Sequence, residues 1–140
     1  MDCLIDTNVI IDVLAKRANH VNSGEVLKMA KVHEINGYVS VKSILDIIYV
    51  LRKQVPLHKS SKLVGRLLSY LKLVELAPED ILDALAGNAK DFEDATLASI
   101  AKRHRFDYII TNNVKDFPAL RTKVISPKQF LQTAPYSPEK

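Results

Sequence analysis

Apolar residues along the chain recur in two alternating patterns. Short apolar runs predict buried strands, and between them apolar side chains return every three or four residues, as on one face of a helix. The predicted strands are the run before Asp6 and residues 38–41, 73–76, 106–110 and 123–125. The predicted helices cover residues 7–14, 43–53, 58–71, 79–86 and 128–132, with two more that open near Asn22 and Asp91.

Helix-capping residues mark some of these boundaries. Asn22 and Glu25 form a capping-box pattern, and Pro78 and Gly87 stand at the two ends of the helix 79–86. Strands that alternate with helices predict a three-layer α/β/α fold with a central, mostly parallel sheet of five strands.

The length of the chain predicts one domain. A chain of 140 residues is long enough to bury a core of its own. The sequence contains no internal repeat, low-complexity segment or linker that would divide it. We therefore predict a single domain over residues 1–134, followed by a loose tail at 135–140.

Composition excludes several classes of protein. An apolar content of 47% with few Gly and Pro argues against disorder and fibrous repeats. No apolar run approaches the roughly 20 residues of a membrane span, and the acidic N-terminus is unlike a signal peptide, so we expect a cytoplasmic protein.

Cys3 is the single cysteine, which leaves no internal disulfide or thiolate zinc site. The phosphate-binding and dinucleotide-binding glycine patterns are absent. The net charge of +4 permits a polyanionic partner without requiring one.

Three aspartates are placed unlike ordinary surface acids. Asp6 lies where the first strand gives way to a helix, Asp46 is the only charge in residues 44–51, and Asp94 shares a helix face with apolar residues. Each has a simpler explanation. Asp6 and Asp94 could cap helix N-termini, and Asp46 could pair with Arg52 or with a lysine elsewhere. Together, however, three acids on separate segments form a ligand set suited to Mg²⁺ or Mn²⁺.

The chemistry of such a site would be phosphoryl hydrolysis. No nucleophilic Ser, Cys or His accompanies the acids, so the attacking group would be a metal-bound water. The histidines at positions 20, 33, 58 and 104 lack the spacing of metal ligands, and we interpret them as surface or capping residues.

Four segments in this order resemble the PIN domain family, in particular the VapC-like toxins of bacterial and archaeal toxin–antitoxin pairs. They are Leu4-Ile5-Asp6-Thr7-Asn8-Val9-Ile10, residues 40–51 with Asp46, Asp91-Phe92-Glu93-Asp94-Ala95, and Ile109-Ile110-Thr111-Asn112-Asn113-Val114-Lys115-Asp116-Phe117. The resemblance covers nearly the whole chain. It implies five parallel strands, an Mg²⁺- or Mn²⁺-dependent endoribonuclease, a homodimer, and an antitoxin that blocks the acidic groove.

The resemblance implies a role for each matching residue. The metal-binding acids of the family fall on Asp6, Asp46 and Asp94, and Thr7 and Asn8 support Asp6. The second acid is commonly Glu in the family. Asp46 has the shorter side chain, so its helix would need to sit closer to the metal.

The fourth acidic position departs from the family pattern. The family often has Asp two residues after the Thr that ends the fourth strand, here Thr111, and this chain has Asn113 there. An amide can offer an oxygen or position a water but brings no negative charge. Asp116 could supply the missing carboxylate or could merely shape the loop. Whether one ion or two bind depends on how Asn113 and Asp116 share this position.

Basic residues recur on one side of the predicted helix 58–71. Such residues could contact the phosphates of RNA and so position it without reading its sequence. The same residues could also simply form a solvated face. Apolar residues between them could instead belong to a dimer or antitoxin groove. The RNA-contact candidates are Lys59, Lys62 and Arg66, together with Arg52, Lys53 and Lys115.

The leading hypothesis is therefore a metal-dependent toxin ribonuclease. Asn113 suggests an alternative, a PIN-like RNA-binding or regulatory module with weakened catalysis. A third possibility is a phosphatase or receiver-like domain with Asp6 as the covalent nucleophile. The sequence lacks the paired acids on the first strand and the late lysine expected of a receiver.

Overall fold

The fold is organised around a central sheet of five parallel strands. A computed structural model describes residues 1–133, so the predicted tail at 135–140 lies outside the described residues. The strand order is β3-β2-β1-β4-β5, and every neighbouring pair is parallel. The strands are β1 (Asp2–Ile5), β2 (Asn36–Ser40), β3 (Lys72–Val74), β4 (Tyr108–Ile110) and β5 (Lys123–Ile125).

Helices connect the strands, as the alternating apolar pattern predicted. Within residues 1–133 they are α1 (Thr7–Leu14), α2 (His20–Lys31), α3 (Val41–Leu51), α4 (Leu57–Leu67), α5 (Pro78–Ala86), α6 (Phe92–His104) and α7 (Pro127–Thr133). A short 3₁₀ turn, Val114–Asp116, follows β4. In that part of the chain no helix has both the length and the apolar character needed to cross a membrane.

The two faces of the sheet are covered by separate apolar cores. Cys3 and Ile5 of β1 point into one core, together with residues of α1, α2, α3, α4 and α7. Leu4, between them, points into the other, where Ile100 of α6 and Phe106 pack. Successive side chains of a strand face opposite sides of its sheet. The predicted three-layer α/β/α architecture with five parallel strands is confirmed.

Several predicted boundaries are wrong. The helix predicted over residues 58–71 ends at Leu67, and the strand predicted over 73–76 ends at Val74. Two further errors concern capping. α2 begins at His20, where the His20 and Ser23 amides already donate to the Arg17 and Asn19 carbonyls, so Asn22 lies inside the helix. α3 begins at Val41, which the sequence assigned to a strand. The Ser40 hydroxyl accepts a hydrogen bond from the Ser43 amide at 3.0 Å and so caps α3.

The topology brings particular chain segments to one edge of the sheet. β1 pairs with β2 on one side and with β4 on the other, so the strand order reverses direction at β1. Ligands of open α/β sheets bind outside the carboxyl ends of the strands at such a point. Ile5 is in register with Ile110, so the residues that follow these two strands, Asp6 and Thr111, are neighbours.

Candidate metal centre

A cavity at the carboxyl edge of the sheet brings together several of the predicted site residues. Its volume is about 340 Å³, at the small end of the roughly 300–1,000 Å³ typical of ligand sites. α1, α3 and α6 form its walls. The acids that line it are Asp6, Asp46, Asp91, Glu93 and Asp94, and Asn113 lines it as well.

Asp6 follows β1 and is buried, with 6% of its surface exposed. Its Oδ1 accepts a hydrogen bond from the Thr7 amide at 2.7 Å, so Asp6 does cap α1. Its Oδ2 accepts hydrogen bonds from the Thr111 hydroxyl at 2.7 Å and from the Asn8 amide at 3.3 Å. Burial raises the pKa of Asp6, and the hydrogen bonds from Thr111 and Thr7 partly oppose that change. Capping therefore accounts for only one of the two carboxylate oxygens.

Asp94 differs from Asp6 because one of its oxygens has no partner. The residue is 5% exposed, and its buried Oδ2 makes no hydrogen bond to any group in residues 1–133. Capping does not explain it, since the cap of α6 is Asp91, whose Oδ1 accepts from the Asp94 amide at 3.0 Å. A buried polar atom without a partner is rare in proteins, so a proton or a cation is expected beside it.

The negative charges around Asp94 also favour a proton or a cation beside it. Burial, followed by the negative charges of Asp6, Asp91, Asp116 and Glu93, raises the pKa of Asp94 to about 7. A group of carboxylates that cannot all ionise together is relieved when a cation neutralises them. Oxygen donors of this kind suit a small hard cation such as Mg²⁺ or Mn²⁺. The donor set and the unpartnered oxygen therefore fit a divalent metal held by Asp6 and Asp94.

Asp46 is held by an ion pair. Its Oδ2 lies 2.7 Å from Nζ of Lys42, one turn earlier in α3, and 37% of its side chain is exposed. A salt bridge to a lysine, one of the simpler explanations for Asp46, is thus present in the structure. Within residues 1–133 no group of three His, Cys, Asp or Glu side chains is arranged to hold an ion. Asp46 lines the same cavity as Asp6 and Asp94, but it does not complete a three-acid cluster with them.

The two candidates for the fourth position lie on the loop after β4. Asn113 lines the cavity, and its backbone amide donates to the Thr111 hydroxyl at 3.0 Å. Asp116 ends the 3₁₀ turn and borders a neighbouring pocket with Lys115. The charge of Asp116 nevertheless contributes to the raised pKa of Asp94. Asn113 therefore supplies the cavity with an amide, and Asp116 acts on it through its charge.

A hydrogen-bond network that the sequence did not predict supports Asp6 and the loop after β4. The Asn8 side-chain oxygen accepts from the Asn112 backbone amide at 3.2 Å. The Asn112 side chain donates to the buried carboxylate of Asp12, which also accepts from the Ser23 hydroxyl at 3.4 Å. Asp12 and Asn112 are about a hundred positions apart in the chain, so no local sequence pattern could reveal their contact.

Local sequence signals point to other residues of the cavity. Asp91 and Glu93 flank Asp94 in the sequence. Lys42 precedes Asp46 by four residues, which is the spacing of ion pairs on a helix. Arg17, by contrast, reaches the cavity from the loop between α1 and α2 without any sequence signal.

The basic candidates do not share the cavity with the acids. Lys59, Lys62 and Arg66 are exposed on α4, and Lys115 borders the pocket beside Asp116. Arg52 and Lys53 line a second groove with Leu45, Ile48 and Tyr49, and Tyr49 borders the acidic cavity as well. The histidines at 20, 33, 58 and 104 are exposed, as predicted.

Comparison with known proteins gives a family and a fold. The family model described as PIN domain matches residues 2–115. A toxin–antitoxin complex from Klebsiella pneumoniae contains a chain of the same fold, with a TM-score of 0.68 and 21% identity over 89% of this chain and 97% of that one. No curated protein sequence matches this chain.

Two further solved structures have the same fold. VapBC2 from Rickettsia felis, bound to a DNA fragment from its promoter, has a TM-score of 0.65 and 18% identity, and the match covers 89% of this chain and 97% of that one. VapC20 from Mycobacterium tuberculosis, a Sarcin-Ricin loop cleaving toxin, has a TM-score of 0.60 and 11% identity over 76% and 86% of the two chains. At such identities the likeness shows the fold.

The raised pKa of Asp94 predicts how stability depends on pH in metal-free protein. The unfolded chain releases this proton near its ordinary pKa of 3.8, whereas the folded chain keeps it until pH reaches about 7. The folded state binds more protons in that window, so its stability falls as pH rises from 4 to 7. We expect Asp94→Asn to be more stable than the original protein at pH 8, by about 1–3 kcal/mol, and nearly equal to it at pH 4.

Urea unfolding in the presence of a chelator measures this difference at each pH. The matched control is Glu34→Gln, which removes an exposed carboxylate and should follow the original protein throughout. A difference between Asp94→Asn and the original protein that stays constant from pH 4 to pH 8 would contradict the prediction.

Proposed function

Because this chain belongs to the PIN domain family, whose model matches residues 2–115, we propose that it is a divalent-metal-dependent endoribonuclease. The observation that carries this proposal is the buried Asp94 oxygen without a partner, beside Asp6 and other acids in one cavity. Carboxylates repelling one another around such an oxygen have the chemistry of a cation site. The cation that we propose is Mg²⁺ or Mn²⁺.

In this mechanism Asp6 and Asp94 hold the metal, and their neighbours fix their orientation. The Thr111 and Asn8 side chains donate hydrogen bonds to Asp6 Oδ2, and the Thr7 amide donates to Oδ1. These three bonds leave a lone pair on Oδ1 for ligation. A bound Mg²⁺ or Mn²⁺ would supply an activated water and stabilise charge on the phosphoryl group. Asn113, which lines the same cavity, offers an uncharged amide that can position water or a phosphate oxygen.

We propose further that the protein is the toxin of a toxin–antitoxin pair. Proteins with this fold include members of such complexes, and one of them is a Sarcin-Ricin loop cleaving toxin. Leu45 and Tyr49 are large exposed apolar residues on α3 at the groove that borders the acidic cavity. Exposed apolar residues beside a site favour a protein partner there. An antitoxin and a second copy of the chain, forming a homodimer, are the partners that we propose.

One observation favours a second candidate function. Asn113 brings no negative charge where an acid is often found, and Asp46 is neutralised by Lys42. The alternative is therefore a PIN-like module that binds RNA or regulates without cutting it. Titration with Mn²⁺ distinguishes the two, because RNA binding without any metal binding at millimolar concentration favours the module. A covalent role for Asp6 is disfavoured because the sequence lacks the paired acids on the first strand and the late lysine expected of a receiver.

The central test of the proposed activity is cleavage of RNA by the purified protein with Mg²⁺ or Mn²⁺. We expect Asp6→Asn to reduce cleavage by at least about a hundredfold, because even supporting residues around a metal typically contribute 10–100-fold. Asparagine can still accept from the Thr7 amide, so α1 keeps its cap and the fold should persist.

The matched control is Asp83→Asn, which makes the same chemical change on an exposed acid of α5 outside the cavity. It should cleave like the original protein. Circular dichroism confirms that each variant is folded. Full activity of folded Asp6→Asn would exclude the proposed metal role of this residue, and cleavage that persists in excess chelator would exclude metal dependence.

The basic stripe on α4, formed by Lys59, Lys62 and Arg66, predicts a salt-dependent contribution to RNA binding. Replacing all three with Gln in the Asp6→Asn background should weaken binding to RNAs of any sequence. Each phosphate contact on a single strand contributes roughly 0.7 to the slope of log Kd against log salt. If each of the three residues contacts one phosphate, the slope should therefore fall by about 2. Fluorescence anisotropy over a salt series measures this slope.

The control for charge alone replaces three exposed lysines elsewhere, Lys28, Lys31 and Lys102, with Gln. Both triple variants lose the same net charge. Equal slopes in the two variants would show that the stripe is a solvated face with no specific contact to RNA.

A further inference from the structure

We infer that the Lys42 ammonium takes the place of a second metal ion, so that this cavity holds one divalent cation where a two-metal nuclease holds two. The inference rests on the proposed function and deepens it, since it assigns a role to a basic residue inside the acidic cavity.

Lys42 connects acids on two different helices. It is the second residue of α3, and its Nζ lies 2.7 Å from Asp46 Oδ2 in the same helix and 3.4 Å from Glu93 Oε1 in α6. Its side chain is 39% exposed and lines the acidic cavity. One positive charge therefore already lies between two of the carboxylates that a second ion would require.

The acids of the cavity fall into two groups according to their partners. Asp46 and Glu93 have the Lys42 ammonium between them. Asp6 and Asp94 have no cationic partner in residues 1–133, and one oxygen of Asp94 has no partner at all there. Uncompensated negative charge thus lies at Asp6 and Asp94, which is where the first ion would bind.

A second ion would meet two obstacles. Two-metal sites hold their ions roughly 3.5–4 Å apart, so an ion beside Asp46 would lie close to both the first ion and Lys42. Because Lys42 is tethered one turn from Asp46, it is always present at high local concentration. The pair is exposed and weak in itself, so the obstacle to a second ion is the positive charge that Lys42 keeps in the cavity.

The same geometry gives Lys42 a task toward a substrate. An ammonium has three N–H donors, and its contacts within residues 1–133 are to Asp46 and Glu93. The remaining donor can reach a phosphate oxygen that enters the cavity. Lys42 would then stabilise negative charge on the phosphate or on the leaving oxygen, which is the work that a second ion performs in a two-metal nuclease.

The number of bound Mn²⁺ ions tests this inference without reference to activity. Electron paramagnetic resonance on the full chain should show one bound Mn²⁺ with an uncoupled spectrum. Lys42→Met should bind a second Mn²⁺ and show coupling between two nearby ions, because Asp46 and Glu93 are then unpaired. Lys42→Arg should remain at one ion, since it restores the charge. Lys31→Met, which changes an exposed lysine of α2, is the control and should also bind one ion.

A double variant assigns the second ion to its ligands. Lys42→Met with Asp46→Asn should return to one ion, because the carboxylate that Lys42 had neutralised is no longer charged. Lys42→Gln replaces Lys42→Met if the methionine variant does not fold. Two ions in the original protein, or one ion in the folded Lys42→Met and Lys42→Gln variants, would overturn this inference and leave the proposed function standing. No bound ion in the original protein would overturn both.

Discussion

The burial of one unpartnered carboxylate oxygen is the constraint on which the site depends. Asp94 lies in the first turn of α6, where Asp91 already provides the cap. Its Oδ2 is buried and makes no hydrogen bond in the described part of the chain, and the neighbouring acids raise its pKa to about 7. Such an arrangement opposes stability unless a proton or a cation compensates it. Carboxylates with strongly shifted pKa values are characteristic of functional sites.

The fold supplies the means of placing that carboxylate. Parallel pairing of β1 and β4 sets Asp6 and Thr111 side by side at the carboxyl edge of the sheet. The Thr111 hydroxyl and the Asn8 amide then orient Asp6 Oδ2, and α6 brings Asp94 from another part of the chain to the same cavity. The architecture thus positions donors that are far apart in sequence, while the charges that they carry decide what can bind.

Periodicity predicted the layers of this fold and the placement of Asp6 and Asp94, because a strand followed by an amphipathic helix has a strong local signal. It failed at Asn22 and Val41, where the residues that begin a helix lie a few positions away. It also missed the contact of Asn112 with Asp12, which depends on tertiary packing. The sequence predicted that a lysine could pair with Asp46, as an alternative to Arg52. The four-residue spacing of Lys42 and Asp46 indicated Lys42, whereas the contact of Lys42 with Glu93 across two helices required the structure.

We propose that Asp6 and Asp94 form a divalent cation centre. Anomalous diffraction from crystals grown with Mn²⁺ is a direct test, because it locates the ion without assuming its ligands. We expect an anomalous peak in contact with Asp94 Oδ2 and the Asp6 carboxylate, with Lys42 still paired to Asp46. Crystals in which Mn²⁺ binds elsewhere, and in which Asp94 Oδ2 has no contact with an ion, would contradict it.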